Sequence, residues 1–586
     1  MTNRYKYLFM IFLFIFVGLL HVYPDLRFTH ELGEDFQGIS LMGAGDETFY
    51  LSRIAGVVYR DSMRLANEGL YGHQNDPIFQ PSLAEVIEGT IGKWFGLEVW
   101  QIDIWATFLL PITLCFLIYL LVYNLTDSFN LSILATLAVV LGYYWMTPNF
   151  KAILGLYPNY FNRSLFFVRP ISPQFHFIPF ILSLYLIYKI SIKNNYYLVI
   201  LTGSVVGVLF HMSFYYWTFV YSGLGFLLII DVVRRKTENL KKYSLIFLIS
   251  ILISIPYWFS FWALNNLPYF SEIFRRSGGI YTHKPIIPII EIAFLTFLII
   301  LSYIFTEKKE QFYYMISFVA GGLICLNQQV ITGKTVEPMH WQSYTNKVFI
   351  IISFFVCISF MLMWVRKIKY DNKIFSLLKK KSIFYVICLI FLTMGIIQQN
   401  NYYSAESNIF RKLQIMAPNL RYIHKETPYD AVILTDPFKR YEESLISVYT
   451  KNYLYISDSF FITSSVSDRE IEERYFFALN FFGYTVSEAK ELFGYMDGGL
   501  FRGMQVYKRY GGTPEENNIY IKGLTQRYAK LLNQGPMDLL KKYKVDYVLL
   551  AKKSQDRLFS RDKIKRILEL EYNDDYYELY KIKDYE

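Results

Sequence analysis

Cysteine is scarce: the chain carries four, Cys115, Cys325, Cys357 and Cys388. Each falls inside or at the edge of an apolar run, and none stands at metal-ligand spacing from another, which excludes a disulfide framework and a zinc site. Charge is scarce too. Only 18% of the 586 residues are charged against 53% hydrophobic, a balance too apolar for a soluble protein of this length. The formal net charge of +10 lies largely in short segments between apolar runs, where basic residues orient a membrane protein and do not imply nucleic acid. No nucleic-acid motif, internal repeat, glycine-rich nucleotide loop or nucleophile motif is present.

What is abundant is the long apolar run. Tyr7 to Tyr23 is the first, preceded by Arg4 and Lys6 and followed by no small-residue cleavage site, so it reads as a retained first helix. Further runs of about 17 to 21 residues, enough to cross the hydrocarbon core, begin near Ile104, Leu131, Pro173, Tyr196, Phe214, Tyr243, Ile286, Gln311, Lys347 and Lys381. About eleven spans are expected. Between Tyr196 and Asp231 the sequence allows one long tilted helix or two short ones turning at His211-Met212-Ser213, and two are preferred. Basic connections at Arg234-Arg235-Lys236 with Lys241-Lys242, at Glu307-Lys308-Lys309 and from Arg366 to Lys381 are expected inside, with the N-terminus. The loops between them, and everything after about Gln398, then lie outside.

The fold class expected is therefore an α-helical polytopic membrane protein with an extracytoplasmic C-terminal α/β domain. Residues 1–399 form the transmembrane domain, with a large first external loop over 24–101. Residues 400–586 read as soluble, with a helix over Ser407 to Glu426 and strands at Ala431 to Thr435, Tyr547 to Leu550 and Tyr576 to Ile582. The scattered acids of this part are those of a solvated face, and substrate docking or scaffolding is its expected role.

The first loop carries GISLMGAGDETFYLSRIAGVVYRDSMR, Gly38 to Arg64. After Gly43 and Gly45, the positions Asp46, Tyr50, Arg53, Val57, Arg60 and Arg64 recur at helical spacing and would share one face. A carboxylate and several guanidiniums would point the same way. The plain alternative makes Asp46 a helix N-cap and lets the arginines snorkel to headgroups.

An acidic pair in a long first external loop, followed by many spans and an external α/β domain, resembles the glycosyltransferase C superfamily, whose members take sugars from polyprenyl-phosphate carriers. GDETFYLSR looks like that superfamily's catalytic segment. RPISPQFHF at Arg169 to Phe177, NQQVITGKTVEPMHW at Asn327 to Trp341 and LRYIHKETPYDAVILTDP at Leu420 to Pro437 are similar to stretches of bacterial members. The resemblance implies a multi-pass protein of a bacterial-type cytoplasmic membrane. It would transfer a hexosyl or pentosyl group from a polyprenyl-phosphate donor to a glycan, lipid or protein acceptor.

Such transfer needs a base for the acceptor proton and cations or dipoles for the departing phosphate. By its match to the segment, Asp46 is the candidate base, and Glu47 either assists it or binds a sugar hydroxyl. An inverting route would form no covalent glycosyl-enzyme. Arg169, before Pro170 at the mouth of a span, is the first candidate for the donor phosphate, with Lys334, His340 and His211 beside it. Arg53, His73 and Asp76 are candidates for the acceptor. Against these stand simple roles: a snorkelling Arg169, a solvated Lys334, a His211 bonded to a helix-end carbonyl, and Asp76 as a turn residue before Pro77. No cofactor is required. Oligosaccharyltransferases of the superfamily use a divalent ion, which Asp46, Glu47 and Asp76 could supply with ligands.

Two other functions fit parts of the pattern. A polymerase or ligase of lipid-linked glycans would shift weight from Asp46 to Arg169 and His340. A transporter or flippase would place ionisable residues near mid-membrane, whereas these spans are almost free of charge.

Overall fold

The computed structural model describes residues 3–43, 47–146, 164–367, 381–436, 442–457, 464–495, 514–532, 542–552 and 566–583. Gly45, Asp46 and most of the Arg366 to Lys381 connection lie outside them. The chain divides into two compact units: Met1–His30, Ile104–Tyr257 and Tyr281–Ser407 form the first, and Glu31–Asp103, Trp258–Ile280 and Asn408–Glu586 the second. The sequence had grouped the first loop with the apolar part. Here its residues 31–103 belong with the C-terminal segment, joined by residues 258–280.

The first unit is helical. Among the described residues eight helices are long and apolar enough to cross a membrane: Arg4–Asp35, Val99–Thr126, Pro170–Ile192, Phe214–Val233, Thr237–Asn265, Thr306–Thr332, Pro338–Val365 and Ser382–Glu426. Three shorter apolar helices, Phe129–Val140, Tyr196–Leu209 and Ile289–Ile304, accompany them. Each apolar run expected from the sequence falls on one of these helices, but of the roughly eleven spans expected, eight are long and apolar enough to cross and three are shorter. The stretch after Tyr196 is two helices, turning at His211-Met212-Ser213. Asn195 starts the first of them, its side chain accepting from the backbone N–H groups of Tyr197 and Leu198.

Small residues set how closely these helices approach. A Cβ at Gly203 would lie 2.8 Å from Ile249 Cβ, and one at Gly207 2.7 Å from Ile253 Cβ, so Tyr196–Leu209 rests directly on the helix Thr237–Asn265. Likewise a Cβ at Gly321 would meet the backbone N of Gly223 at 2.6 Å, so Lys309–Asn327 and Phe214–Val233 touch backbone to backbone.

The second unit is built on a five-stranded sheet of β1 (Val432–Thr435), β2 (Tyr453–Leu454), β3 (Tyr547–Ala551), β4 (Leu568–Asn573) and β5 (Tyr577–Ile582). Its order is β2-β1-β3-β5-β4. β1 runs parallel to β2 and β3, in register Ile433↔Leu454 and Ile433↔Tyr547, while β5 is antiparallel to both its neighbours. All four residues of β1 are buried, as a central parallel strand of apolar residues requires. The first loop continues this sheet: Leu70 bridges Leu454 in parallel, and Leu454 N–H donates to the Gly69 carbonyl at 2.8 Å. The loop thereby covers the β2 edge. The helix expected over Ser407 to Glu426 is the end of the long helix Ser382–Glu426, which tightens to a 3-10 turn at Gln414–Met416 before Pro418.

Candidate functional site

In the second unit the acidic segment opens the helix Glu47–Arg60, which is buried over most of its surface. It packs on the helices Leu83–Trp94 and Glu442–Tyr449. Glu47 is its first residue, and its carboxylate reaches back to accept the Gly43 backbone N–H. That bond satisfies a donor ahead of the helix; Asp46 lies outside the described residues.

The guanidiniums of this helix face inward. Arg53 is 2% exposed: Nη1 donates to Glu85 Oε1 at 3.0 Å, and Nη2 to the carbonyls of Ala66 and Gln80 at 3.2 and 3.0 Å. Its charge also lies 4.2 Å over the Phe49 ring. Arg60 donates to Glu68 Oε1 at 3.0 Å and to the carbonyls of Ser52 and Thr450 at 2.9 and 3.2 Å. The helix stops at Arg60, since Asp61 adopts φ +52°. Arg64 is exposed beyond it, which removes that residue from the face the spacing had suggested. The sequence pattern counted arginines on a helix but could not show that Glu85 and Glu68 would neutralise two of them.

Beneath this helix lies a carboxyl group that the sequence reading missed. Glu88 is buried, and neither of its side-chain oxygens has a hydrogen-bond partner. Burial, and then the nearby charges of Glu85 and Glu47, push its pKa well above the usual carboxylate range. Burial also raises that of Glu85, with Arg53 opposing. The one signal in sequence was the Glu-x-x-Glu spacing at Glu85 and Glu88, which puts both on one helical face.

His73 and Asp76 do come together, at 2.7 Å between Nδ1 and Oδ2. The other ring nitrogen, Nε2, lies 2.9 Å from Glu470 Oε1. Burial alone would lower the His73 pKa, but these two hydrogen bonds carry it up to about 9. Glu470 also accepts from Arg474 Nε at 2.9 Å, and its pKa falls to about 2 against the opposing effect of burial. Asn67 Nδ2 completes the group, donating to Asp76 Oδ2 and Ser465 Oγ, each at 3.2 Å. Ser467 caps the helix Asp468–Phe481 by accepting from Glu470 N–H, which sets Glu470 in the first turn. No sequence signal ties His73 to that turn.

In the first unit both motif stretches begin spans irregularly, Pro170–Phe175 with a kink at Ser172, whose backbone is extended, and Trp341–Asn346 with a π-helical turn. Such turns recur at functional sites, because they displace side chains from the regular helical rows. Arg169 precedes the first, half-buried and in extended conformation. Gln174 Nε2 donates to the Phe167 carbonyl at 2.6 Å and holds the turn against the segment that leads into it.

His340, just before the second turn, has Nδ1 at 3.0 Å from the Tyr215 hydroxyl and 2.8 Å from Glu337 Oε2. Aromatic side chains from separate loops gather there. The rings of His340 and Tyr344 are 5.0 Å apart, Phe166 and Tyr344 5.3 Å, and His176 and Tyr216 6.2 Å. Tyr143 stacks on Phe166 at 4.0 Å. Trp341 is pinned beneath by its Nε1 donating to Thr218 Oγ1 at 2.8 Å.

Lys334 is exposed after Gly333, whose φ of +71° is left-handed and suits glycine. His211 Nε2 lies 3.0 Å from the Ile253 carbonyl, the plain role foreseen for it. Among the described residues Lys334, His340 and His211 make no bond to one another. Nor do any three His, Cys, Asp or Glu side chains among them form a group able to hold a metal ion.

No protein-family model matches the chain, and no curated protein does. Among solved structures the chain is similar to the archaeal oligosaccharyltransferase AglB from Archaeoglobus fulgidus in complex with an inhibitory peptide and a dolichol-phosphate. The likeness has 11% identity and a TM-score of 0.43, over 94% of this chain and 70% of that one. At that level it carries no residue correspondence.

Proposed function

We propose that this protein is a membrane glycosyltransferase that moves a hexosyl or pentosyl group from a polyprenyl-phosphate donor to a glycan, lipid or protein acceptor on the extracytoplasmic face. The observation that carries the reading is the irregular start of two spans, a kink at Ser172 in RPISPQFHF and a π-helical turn in EPMHWQSYTN, with the aromatic group that gathers beside the second. Aromatic faces suit sugar rings and prenyl chains, and a guanidinium and an imidazole suit a phosphate. The orientation rests on the basic connections, which put the N-terminus inside.

In the reaction, Asp46 takes the proton of the acceptor hydroxyl as its oxygen attacks the anomeric carbon. The bond from that carbon to the phosphate oxygen breaks, and the lipid phosphate leaves with the electron pair. The charge that develops on it calls for a cation, for which Arg169, Lys334 and His340 are the candidates that the sequence motifs offer. One displacement inverts the anomeric centre. Glu47, whose carboxylate accepts the Gly43 backbone N–H, assists.

The test is purified protein with a polyprenyl-phosphate sugar and an acceptor. Asp46→Asn keeps the capping oxygen but cannot take a proton, so it should lower transfer by about 10²-fold or more while leaving thermal stability as it was. Near-normal turnover in that variant would end the reading of the first loop as catalytic.

A further inference from the structure

The sheet of the second unit carries a cavity that none of the roles above uses. It has a volume of about 250 Å³ and lies at the amino-terminal ends of β1 and β3, beside the end of β5. Ligands of open α/β sheets sit at the carboxyl ends of parallel strands, so this cavity is not one the topology provides by default. Asp430, Lys544, Asp546, Tyr547, Lys581 and Lys583 line it.

The charges in it are unequally engaged. Lys544 Nζ donates to Asp430 Oδ2 at 2.7 Å and to the Asp430 carbonyl at 3.0 Å, and lies 3.4 Å from Asp546 Oδ2. Asp546 in turn accepts the Val432 backbone N–H at 2.7 Å. Both aspartates are thus committed to Lys544 and to the start of β1. Lys581 and Lys583 are two residues apart at the end of β5 and so share a face. Both are exposed, and neither has an ion-pair partner among the described residues. Glu569 stands opposite Lys581 across the β4–β5 pair, yet no ion pair joins them.

We propose that this cavity binds a monoanionic sugar of the uronate type, its carboxylate held by Lys581 and Lys583. Three lysines against two aspartates leave room for one negative charge. A dianion would meet Asp430 and Asp546 at close range, and a neutral sugar would leave the two lysines unanswered. The aspartates keep lone pairs that can accept sugar hydroxyls. The proposal does not depend on the transfer chemistry above.

Binding is measured on the purified full-length chain in detergent, by calorimetry or saturation-transfer NMR, with glucuronate, glucose, acetate and glucose 6-phosphate as probes. Glucuronate should bind, with glucose and acetate each at least tenfold weaker, and affinity should fall as salt is raised. The double variant Lys581→Ala/Lys583→Ala should lose tenfold or more in glucuronate affinity with its melting temperature unchanged, and Lys581→Glu/Lys583→Glu should lose binding altogether. Equal affinity for glucose, or glucuronate binding that survives both double variants, would overturn the site. Tighter binding of glucose 6-phosphate than of glucuronate would overturn the assignment to a carboxylate.

Discussion

His73 and Glu470, 397 positions apart in the chain, meet at 2.9 Å, while the other ring nitrogen of His73 faces Asp76 at 2.7 Å. An imidazole with a carboxylate on each nitrogen carries a proton on both, so the group is an imidazolium at neutral pH. The histidine therefore acts as a cationic clasp between the first loop and the helix Asp468–Phe481.

The clasp makes stability depend on pH with a definite sign. The folded pKa of His73 is raised from 6.5 to about 9, so its contribution is complete below 6.5 and is lost as pH rises through about 9. The folded pKa of Glu470 is lowered from 4.5 to about 2, so its contribution is complete above 4.5 and is lost as pH falls through about 2. The clasp's share of the melting temperature should accordingly be highest between pH 4.5 and 6.5 and decline from pH 7 to 9, in addition to the loss that Glu88 contributes above pH 4.5. His73→Gln should flatten the alkaline decline and destabilise by about 1–3 kcal/mol at pH 6, the range for hydrogen bonds to charged groups. An alkaline decline of the same slope in His73→Gln would show that another group carries it.

Arg53 separates a structural arginine from one that contacts an acceptor. Its guanidinium is wholly buried against Glu85 and two carbonyls. Arg53→Ala would leave Glu85 buried without its partner, which costs about 3–5 kcal/mol. Chemical denaturation of the purified variant should show a loss of that size, and the double variant Arg53→Leu/Glu85→Leu should recover most of it. A fully stable Arg53→Ala that fails only in acceptor use would return Arg53 to the substrate side.

How far the sequence could be read follows from the kind of signal each feature leaves. The spans were legible because length and apolarity suffice to define them, and even the turn at His211 was marked by its polar break. Strands β1, β3 and β5 were found within a residue or so, as short apolar or aromatic runs bounded by polar residues. What escaped was every pairing made at long range. Arg60 could be placed on a helix, yet nothing in the sequence told that it would bond the Thr450 carbonyl, 390 positions away. Glu88 escaped for the opposite reason: a glutamate in an amphipathic helix is ordinarily solvated, and only the fold reveals that this one is not. Of the candidate site, the motif stretches were visible, while the aromatic group around His340 needed three loops to be folded first.

Arg169 stands where a span begins, before the cis Ser172–Pro173 turn. If it binds the donor phosphate, Arg169→Ala should raise the KM for a polyprenyl-phosphate sugar about tenfold or more, the worth of a charge-assisted hydrogen bond. Arg169→Lys should recover the charge but not the planar fork, and so only part of the loss. An unchanged KM in both variants would assign the side chain to its protein and lipid surroundings alone.

Glu88 offers a test in which a substitution should help. Its carboxyl is buried without a partner and its pKa is raised, first by burial and then by Glu85 and Glu47. A carboxyl that stays protonated in the folded state but ionises in the unfolded one binds more protons when folded. Stability is therefore lost as pH rises above the unfolded value of 4.5. The loss approaches about 1.4 kcal/mol per pH unit for one such proton, until the folded group itself ionises. Glutamine is nearly isosteric with the neutral acid and has no proton to lose. Glu88→Gln should match the wild type near pH 4.5 and exceed it increasingly as pH rises above that value, read as a widening gap in denaturation midpoint. A gap that stays constant with pH would mean that Glu88 is ionised in the folded protein, and that a cation or a rearranged Arg53 holds its charge.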